Sequence, residues 1–271
     1  MEAKLHRRVQ RYGWDKAVQD YDRHFVPVLI PCSGRCLELL DPQPGERILD
    51  VATGTGVAAF MVAEQVGEAG EVVATDISER MVTQASARAA ELGITNMRFQ
   101  RADAEELPYP DASFDAVTCV LGLMYPAEPQ RAISEIHRVL KPGGRAAVCV
   151  WGRRDRCGWA EIFPITDAQV ESDVCPMFFQ LGLPNALNLA FEEAAFTSMT
   201  EDRVNVLLTW DNSEEMNSAF FAGGPVALAY SKFSPEIRDL VHEQFKESVK
   251  DYRRGEGYAI PGEFVFLLAR K

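Results

Sequence analysis

The chain has 271 residues, 47% hydrophobic and 25% charged, the composition of a globular protein able to bury a sizeable core. A formal net charge of −12 works against nucleic acid, whose phosphates need clustered Lys and Arg, and favours a small-molecule partner. No apolar run approaches the roughly 20 residues that span a bilayer and the first 25 residues lack a signal-peptide core, so the expectation is no membrane span and a cytoplasmic location.

Residues 1–40 are expected to form an N-terminal helical lid segment. In it, Lys4, Arg7, Arg8 and Arg11 are offset by Glu2 and Asp15 and read as a solvated helix face. Residues 41–271 form the main domain, with lid insertions at about 152–185 and 212–256. From 47 to 151, short apolar runs alternate with helix-period segments, the pattern of βαβ units and a parallel sheet, so the fold class is α/β. Strands are predicted at 47–51, 71–75, 97–100, 114–120 and 144–151, and helices at 57–66, 78–92 and 129–140. Ser78 is a candidate N-cap, Gly93 a stop, and Pro142-Gly-Gly144 cannot continue the last helix. Beyond Trp151, Gly158, Pro164, Pro176, Gly182 and Pro184 break up a segment rich in Phe and Trp. The remainder predicts a helix at 185–198, a strand at 203–210, an amphipathic helix at 235–252 and a last strand at 262–269.

Cysteines stand at 32, 36, 119, 149, 157 and 175 without a C-x-x-C pair, so neither a disulfide framework nor a metal site is expected. Cys119 and Cys149 fall inside strand-like runs, where a thiol behaves as a small hydrophobe.

The segment Arg47-Ile-Leu-Asp-Val-Ala-Thr-Gly-Thr-Gly56 is a strand ending in a turn of small residues, followed by a helix N-terminus. Such a turn lets backbone approach a nucleoside cofactor. Gly54-Thr-Gly56-Val-Ala-Ala59 also fits the dinucleotide pattern G-x-G-x-x-A, with Asp76 twenty residues after Gly56. Two features favour S-adenosylmethionine over a nicotinamide. Asp50, just before the turn, suits the ammonium of an amino-acid-bearing cofactor and would repel a pyrophosphate. Arg101-Ala-Asp103-Ala104 puts an acid and a backbone N–H where an adenine edge can be read. Asp76, at the end of the second strand, suits ribose hydroxyls in either cofactor.

Five segments in order, Asp50-Val-Ala-Thr-Gly-Thr-Gly56, Thr75-Asp76, Ala102-Asp-Ala-Glu-Glu-Leu-Pro108, Ser113-Phe-Asp115 and Arg138-Val-Leu-Lys-Pro-Gly-Gly144, resemble the motifs of class I S-adenosylmethionine-dependent methyltransferases. The similarity covers residues 45–151. It is greatest to the small-molecule group (methyltransferase type 11) that includes the ubiquinone and menaquinone C-methyltransferases. The resemblance implies a Rossmann-like doubly wound sheet of seven strands, order 3-2-1-4-5-7-6, the last antiparallel, with a helical lid. It implies S-adenosylmethionine as cofactor and S-adenosylhomocysteine as product. By position, Ala52, Thr53, Gly54 and Gly56 would line the methionine moiety with Asp50 behind them, and Asp76 would hold the ribose. Ile77 and Met81 would flank the adenine, unless they are plain core, Asp103 and Ala104 would read its edge, and Val120 would close the pocket floor. Tyr21 resembles a tyrosine that caps the cofactor carboxylate. The chain departs from the family at Ala52, where the family has glycine; a methyl is tolerable there only if φ stays negative.

Methyl transfer from a sulfonium is an in-line displacement that positioning alone can accelerate, and a general base is needed only for an acceptor that keeps its proton near neutrality. Candidate bases are His24 and Tyr125, each with a packing role as alternative, then Tyr12. Tyr12 and Trp151 are candidate acceptor contacts. The other lid aromatics, Trp159, Phe163, Phe178, Phe179, Phe220, Phe221 and Tyr230, either line an acceptor pocket or form the lid's own core. His137 reads as scaffold, and His6 and His242 as surface. The rival readings are an NAD(P)-dependent oxidoreductase, without a Tyr-x-x-x-Lys pair, and an arsenite methyltransferase, which would need Cys32, Cys36, Cys157 or Cys175 to converge. A third is a cofactor-binding protein without turnover. The acceptor is unnamed, and a homodimer is left open.

Overall fold

The computed structural model describes residues 3–170 and 177–271; Glu2, Cys175 and Pro176, singled out above, lie outside the described residues. The central sheet is built from β1 (Arg47–Val51), β2 (Glu71–Asp76), β3 (Met97–Arg101), β4 (Phe114–Val120), β5 (Leu140–Trp151), β6 (Thr197–Trp210), β7 (Arg253–Arg254) and β8 (Gly257–Arg270). Their order is β3-β2-β1-β4-β5-β8-β6, with β7 paired to β8 alone. Strands β1 to β5 are parallel, and β8 runs antiparallel to both β5 and β6. The order matches the expected one once the two-residue β7 is set aside; among the described residues the sheet therefore has eight strands rather than seven.

Apolar residues on both sides of β1, β4 and β5 are buried, including Ile48, Leu49, Val117, Cys119, Val148 and Cys149. Since successive strand residues point to opposite faces, both faces of the sheet are covered. The helices are α1 (Ala3–Asp20), α2 (Val26–Leu40), α3 (Val57–Val66), α4 (Glu79–Glu91), α5 (Pro129–Val139), α6 (Ile162–Asp167), α7 (Ala186–Glu193), α8 (Ser213–Asn217), α9 (Ala227–Tyr230) and α10 (Pro235–Ser248). A wide π-turn, Tyr21–Phe25, joins α1 to α2. Helix α2 packs on α3, β4 and β5, while α1 crosses to α4 and α9. Ser78 caps α4 as expected, its hydroxyl accepting from the Met81 N–H at 3.1 Å.

Several boundaries move. Helix α5 ends at Val139 and the chain enters β5 at Leu140, which pairs with Phe114, so Pro142-Gly-Gly144 lies in an irregular strand start rather than in a helix stop. Helix α7 stops at Glu193 instead of running to Ser198, because Ala195 turns to φ +65° and β6 begins at Thr197. Helix α10 likewise stops at Ser248, and β8 starts five residues earlier than expected.

Arg145, on β5, ties the end of α2 to the sheet. Its guanidinium donates to the Leu40 and Asp41 carbonyls and pairs with Glu46 at 2.7 Å, with only 11% of the side chain exposed. Arg145→Ala leaves Glu46 and the helix-end carbonyls without their donor. It is expected to cost about 2–4 kcal/mol, read as a lower denaturation midpoint at unchanged m-value.

Candidate functional site

The chain winds outward from β1 to β3 and in the other direction from β4 to β5, so β1 and β4 flank a topological switch point, where open α/β sheets bind ligands. A cavity opens there, at the carboxyl ends of β1 to β4. Ala52 and Gly54 line it after β1, Asp76, Ile77 and Met81 after β2, Asp103 and Ala104 after β3, and Val120 to Gly122 after β4. A smaller neighbouring cavity of about 420 Å³ shares Tyr21, Ala52 and Val120 and reaches Asp50, Thr53 and Thr55.

The turn after β1 is held by its neighbours. Thr53 N–H donates to the Thr75 carbonyl at 2.8 Å and Gly54 N–H to Asp76 Oδ2 at 3.0 Å, while Asp76 Oδ1 accepts from Ser78 N–H at 2.8 Å. Gly54 sits at φ +56°, and a Cβ there would touch the Tyr21 ring at 3.4 Å, so Tyr21 lies directly over the turn. Ala52 also adopts φ +56°, against the expectation of a negative angle, and Leu121 follows at φ +57°. Left-handed backbone at non-glycine residues costs about 1–2 kcal/mol each and here falls on two strand ends that line the cavity. Between them Gly122 is obligatory, since a Cβ would lie 2.6 Å from Ala52 Cβ and 2.7 Å from Cys119 Sγ.

The site is built from carboxylates in poorly solvated places. Burial pushes Asp50 up to about 7, and the nearby Asp76 charge adds to the rise. Burial also raises Asp76 to about 6, against the backbone N–H donors of Ser78 and Gly54. Tyr21 is raised as well, by burial and then by the Asp76 charge, so its phenol stays protonated. Asp50 Oδ2, Thr53 Oγ1 and Thr55 Oγ1 are buried without hydrogen-bond partners. Unpaired buried polar atoms are costly, and this group suits a ligand carrying a cationic donor and acceptor oxygens together.

Helix α1 covers the larger cavity. Arg7 pairs with Glu105 and lies 3.3 Å from Asp103, and Asp103 Oδ1 accepts from Glu105 N–H. Glu105 is 1% exposed and also accepts from the Ala127 N–H at 2.7 Å. His6 Nε2 meets the Tyr125 carbonyl at 2.8 Å, and since a carbonyl only accepts, Nε2 is the donor. Asp15 accepts from the Ser78 hydroxyl at 2.6 Å, and Asp22 pairs with Arg88 at 3.1 Å. Glu105→Ala removes the shared acceptor of Arg7 and of the loop after β4. It is expected to lower stability by about 2–4 kcal/mol and to speed ligand release from the cavity, measurable by stopped-flow displacement.

The larger cavity thus brings together Tyr21, Ala52, Gly54, Asp76, Ile77 and Met81 with Asp103, Ala104, Val120, Tyr125 and Trp151. Asp50 and Thr53 line the smaller one. Three expected residues reach neither. Gly56 acts through geometry, at φ +95° before α3 and under the Phe60 ring. The His24 carbonyl accepts from the Trp210 indole N–H at 2.8 Å in the π-turn, outside both linings. Tyr12 is 44% exposed, with the Arg11 guanidinium over its ring. Of the aromatics from 151 onward among the described residues, Trp151 lines the cavity and the others do not. Trp159, Phe163, Phe178, Phe179 and Phe220 pack on one another as a separate aromatic cluster. His6, Arg7, Trp14, Phe25 and Leu29 also line the cavity and were not foreseen; Trp14 stands edge-on to Tyr21 and to Tyr125, at 5.7 and 5.0 Å.

The cysteines form no soft-metal cluster among the described residues. Cys32 and Cys149 lie 3.4 Å apart as free thiols, burial raises Cys36, Cys119 and Cys149, and Cys157 stands apart, pushed up to about 12 by burial. Such thiols are poor nucleophiles, which argues against arsenic chemistry.

Residues 48–144 match a family model described as a methyltransferase domain. The chain is 42% identical over 113 residues to a ubiquinone/menaquinone biosynthesis C-methyltransferase of Azotobacter vinelandii, a stretch covering 41% of this chain and 45% of the relative. The chain spans about half the length of the curated relatives it matches. Among solved structures, the YcgJ protein of Bacillus subtilis superposes with a TM-score of 0.64 at 19% identity, over 88% of this chain and 97% of that one, a likeness of fold. The [4+2]-cyclase SpnF superposes with a TM-score of 0.59 at 27% identity, over 89% and 80%.

Proposed function

From a chain that carries a class I S-adenosylmethionine-dependent methyltransferase domain, we propose an enzyme that moves a methyl group from S-adenosylmethionine to oxygen, nitrogen or carbon of a small-molecule acceptor. The observation that carries this reading is the row of three carboxylates, Asp50, Asp76 and Asp103, at the ends of adjacent strands, with unpaired buried polar atoms at the Asp50 end. A nicotinamide pyrophosphate at that end would meet Asp50, a buried carboxylate, instead of free N–H donors.

When bound, the sulfonium supplies the activated methyl. Asp50 would pair with the cofactor ammonium, Asp76 would accept from the ribose hydroxyls, and Ile77 and Met81 would flank the adenine. Asp103, which already shares a bond with Arg7, would accept from the adenine amine. Tyr21 would cap the carboxylate as a protonated donor. Trp14, Tyr125 and Trp151 would exclude water and hold an apolar, planar face of the acceptor in line with the methyl, where orientation supplies the acceleration. Where the acceptor keeps its proton, Tyr125 and His6 line the cavity as candidate bases beside the carboxylates Asp76, Asp103 and Glu105, while His24 lies outside both linings. The cytoplasm is the proposed compartment.

The test is transfer of labelled methyl to a panel of hydroquinones, phenols and amines. A labelled product requiring Asp76 supports the reading. A second reading rests on the likeness to the [4+2]-cyclase: the aromatic cavity would shape a substrate for ring closure without methyl transfer. It gains support if the cofactor binds but no acceptor in the panel takes label.

A further inference from the structure

Outside the cavity, α1 and the C-terminal end of β3 enclose an open groove: Lys4, Arg7, Arg8 and Arg11 line it from α1, and Gln100, Arg101, Asp103 and Glu106 from β3 and the loop after it. Positions 4, 8 and 11 follow the helical repeat, so three cations share one stripe of α1. Arg7 is engaged by Asp103 and Glu105, and Arg101 lies 3.7 Å from Glu79. Lys4, Arg8 and Arg11 have no carboxylate partner among the described residues: of the two acids expected to offset them, Asp15 bonds Ser78 and Glu2 lies outside the described residues. Arg11 Nε is buried without a hydrogen-bond partner. On a chain with a net charge of −12, a stripe of unpaired cations facing a groove, with one buried donor unsatisfied, selects for an acceptor-only, multiply charged ligand.

We propose that this groove binds a phosphate-class anion, a phosphate monoester or diphosphate group, at the mouth of the cavity. The groove and the cavity share Arg7, Ile77, Ala102 and Asp103, so the anion would sit beside the covered ligand rather than in its place. The inference is independent of methyl transfer, since it rests on charge and geometry outside the cavity.

Pyrophosphate, titrated calorimetrically into the full chain at low salt, is the probe, and vesicles of phosphatidylcholine with and without phosphatidylglycerol give the second arm. The comparison is the double variant Lys4→Gln, Arg8→Gln, both exposed positions, against Lys16→Gln, Arg23→Gln, which removes the same charge outside the groove. The proposal expects saturable pyrophosphate binding that weakens with added salt and falls at least about tenfold in the groove variant only. If pyrophosphate alone behaves so, the source is a free phosphorylated molecule; if vesicles with phosphatidylglycerol bind with the same variant sensitivity, it is a lipid headgroup. Absence of pyrophosphate binding, or equal loss in both double variants, overturns it.

Discussion

Asp76→Ala is expected to lower affinity for S-adenosylhomocysteine by about 10²- to 10³-fold, with the chain still folded. The carboxylate is 7% exposed and lines the cavity, and each oxygen already accepts one backbone N–H, from Gly54 and from Ser78. The remaining lone pairs are those available to two ribose hydroxyls, and a charged hydrogen bond is worth about 1.5–3 kcal/mol. Removing the side chain also frees Gly54 N–H, so the turn under Tyr21 loses its anchor. Asp76→Asn keeps one acceptor oxygen and should lose less. Calorimetric titration alongside circular dichroism checks both; unchanged affinity in Asp76→Ala would remove the ribose assignment.

The second large effect concerns Asp50 and carries a sign opposite to that of most carboxylates. Raising a buried carboxyl from 3.8 to about 7 corresponds to about 4 kcal/mol between its two protonation states. Below pH 3.8 folded and unfolded chains both hold the proton and nothing is lost. Between about pH 4 and 7 the unfolded chain releases the proton while the folded chain keeps it, so stability falls as pH rises, then levels off above 7. Asp76, raised to about 6, adds a loss of the same sign at lower pH. Asp50→Asn is therefore expected to match the wild type near pH 4 and to exceed it by about 2–4 kcal/mol at pH 8 without ligand. The same variant should bind S-adenosylhomocysteine more weakly, because the ionised Asp50 is the partner for its ammonium. In the wild type, affinity should rise by up to about tenfold per pH unit towards 7 and then flatten, and the variant should lose that rise. Denaturant titrations and calorimetry at several pH values read both; a variant less stable than wild type at pH 8 would show that Asp50 is stabilising in the empty protein.

The strand, turn and helix at 47–66 could be read from the sequence because a β-branched run, an acid and glycines change character within ten residues, and packing follows local preference there. β6 could not be read in full. Glu201, Asp202 and Arg203 interrupt its apolar alternation, and only pairing with β8 holds 197–202 extended. β7 is two residues long and depends on Gly255 at φ +65°, a hairpin too short to leave a pattern. In the site, the carboxylates showed themselves by their place after strands. His6, Arg7 and Trp14 did not, since Arg7 reaches Glu105 across 98 positions of sequence and nothing local marks that contact. His24 lies outside both linings for a related reason: it falls in the π-turn after α1, and its backbone carbonyl is claimed by Trp210. Ala52 shows the reverse, a local rule overruled by its surroundings, because the close approach of Gly122 and the turn bond to Thr75 hold the backbone left-handed.

The central claim is that the cavity at the β1–β4 switch point takes an adenosyl sulfur cofactor against Asp50 and Asp76. Thermal unfolding of the full chain with S-adenosylhomocysteine, S-adenosylmethionine, NADH and NADPH tests it most directly, since a ligand at 100 times its dissociation constant stabilises by about 2.7 kcal/mol. Stabilisation by the two adenosyl sulfur compounds alone, lost in Asp76→Ala, is the predicted result. Stabilisation by a nicotinamide alone would contradict it.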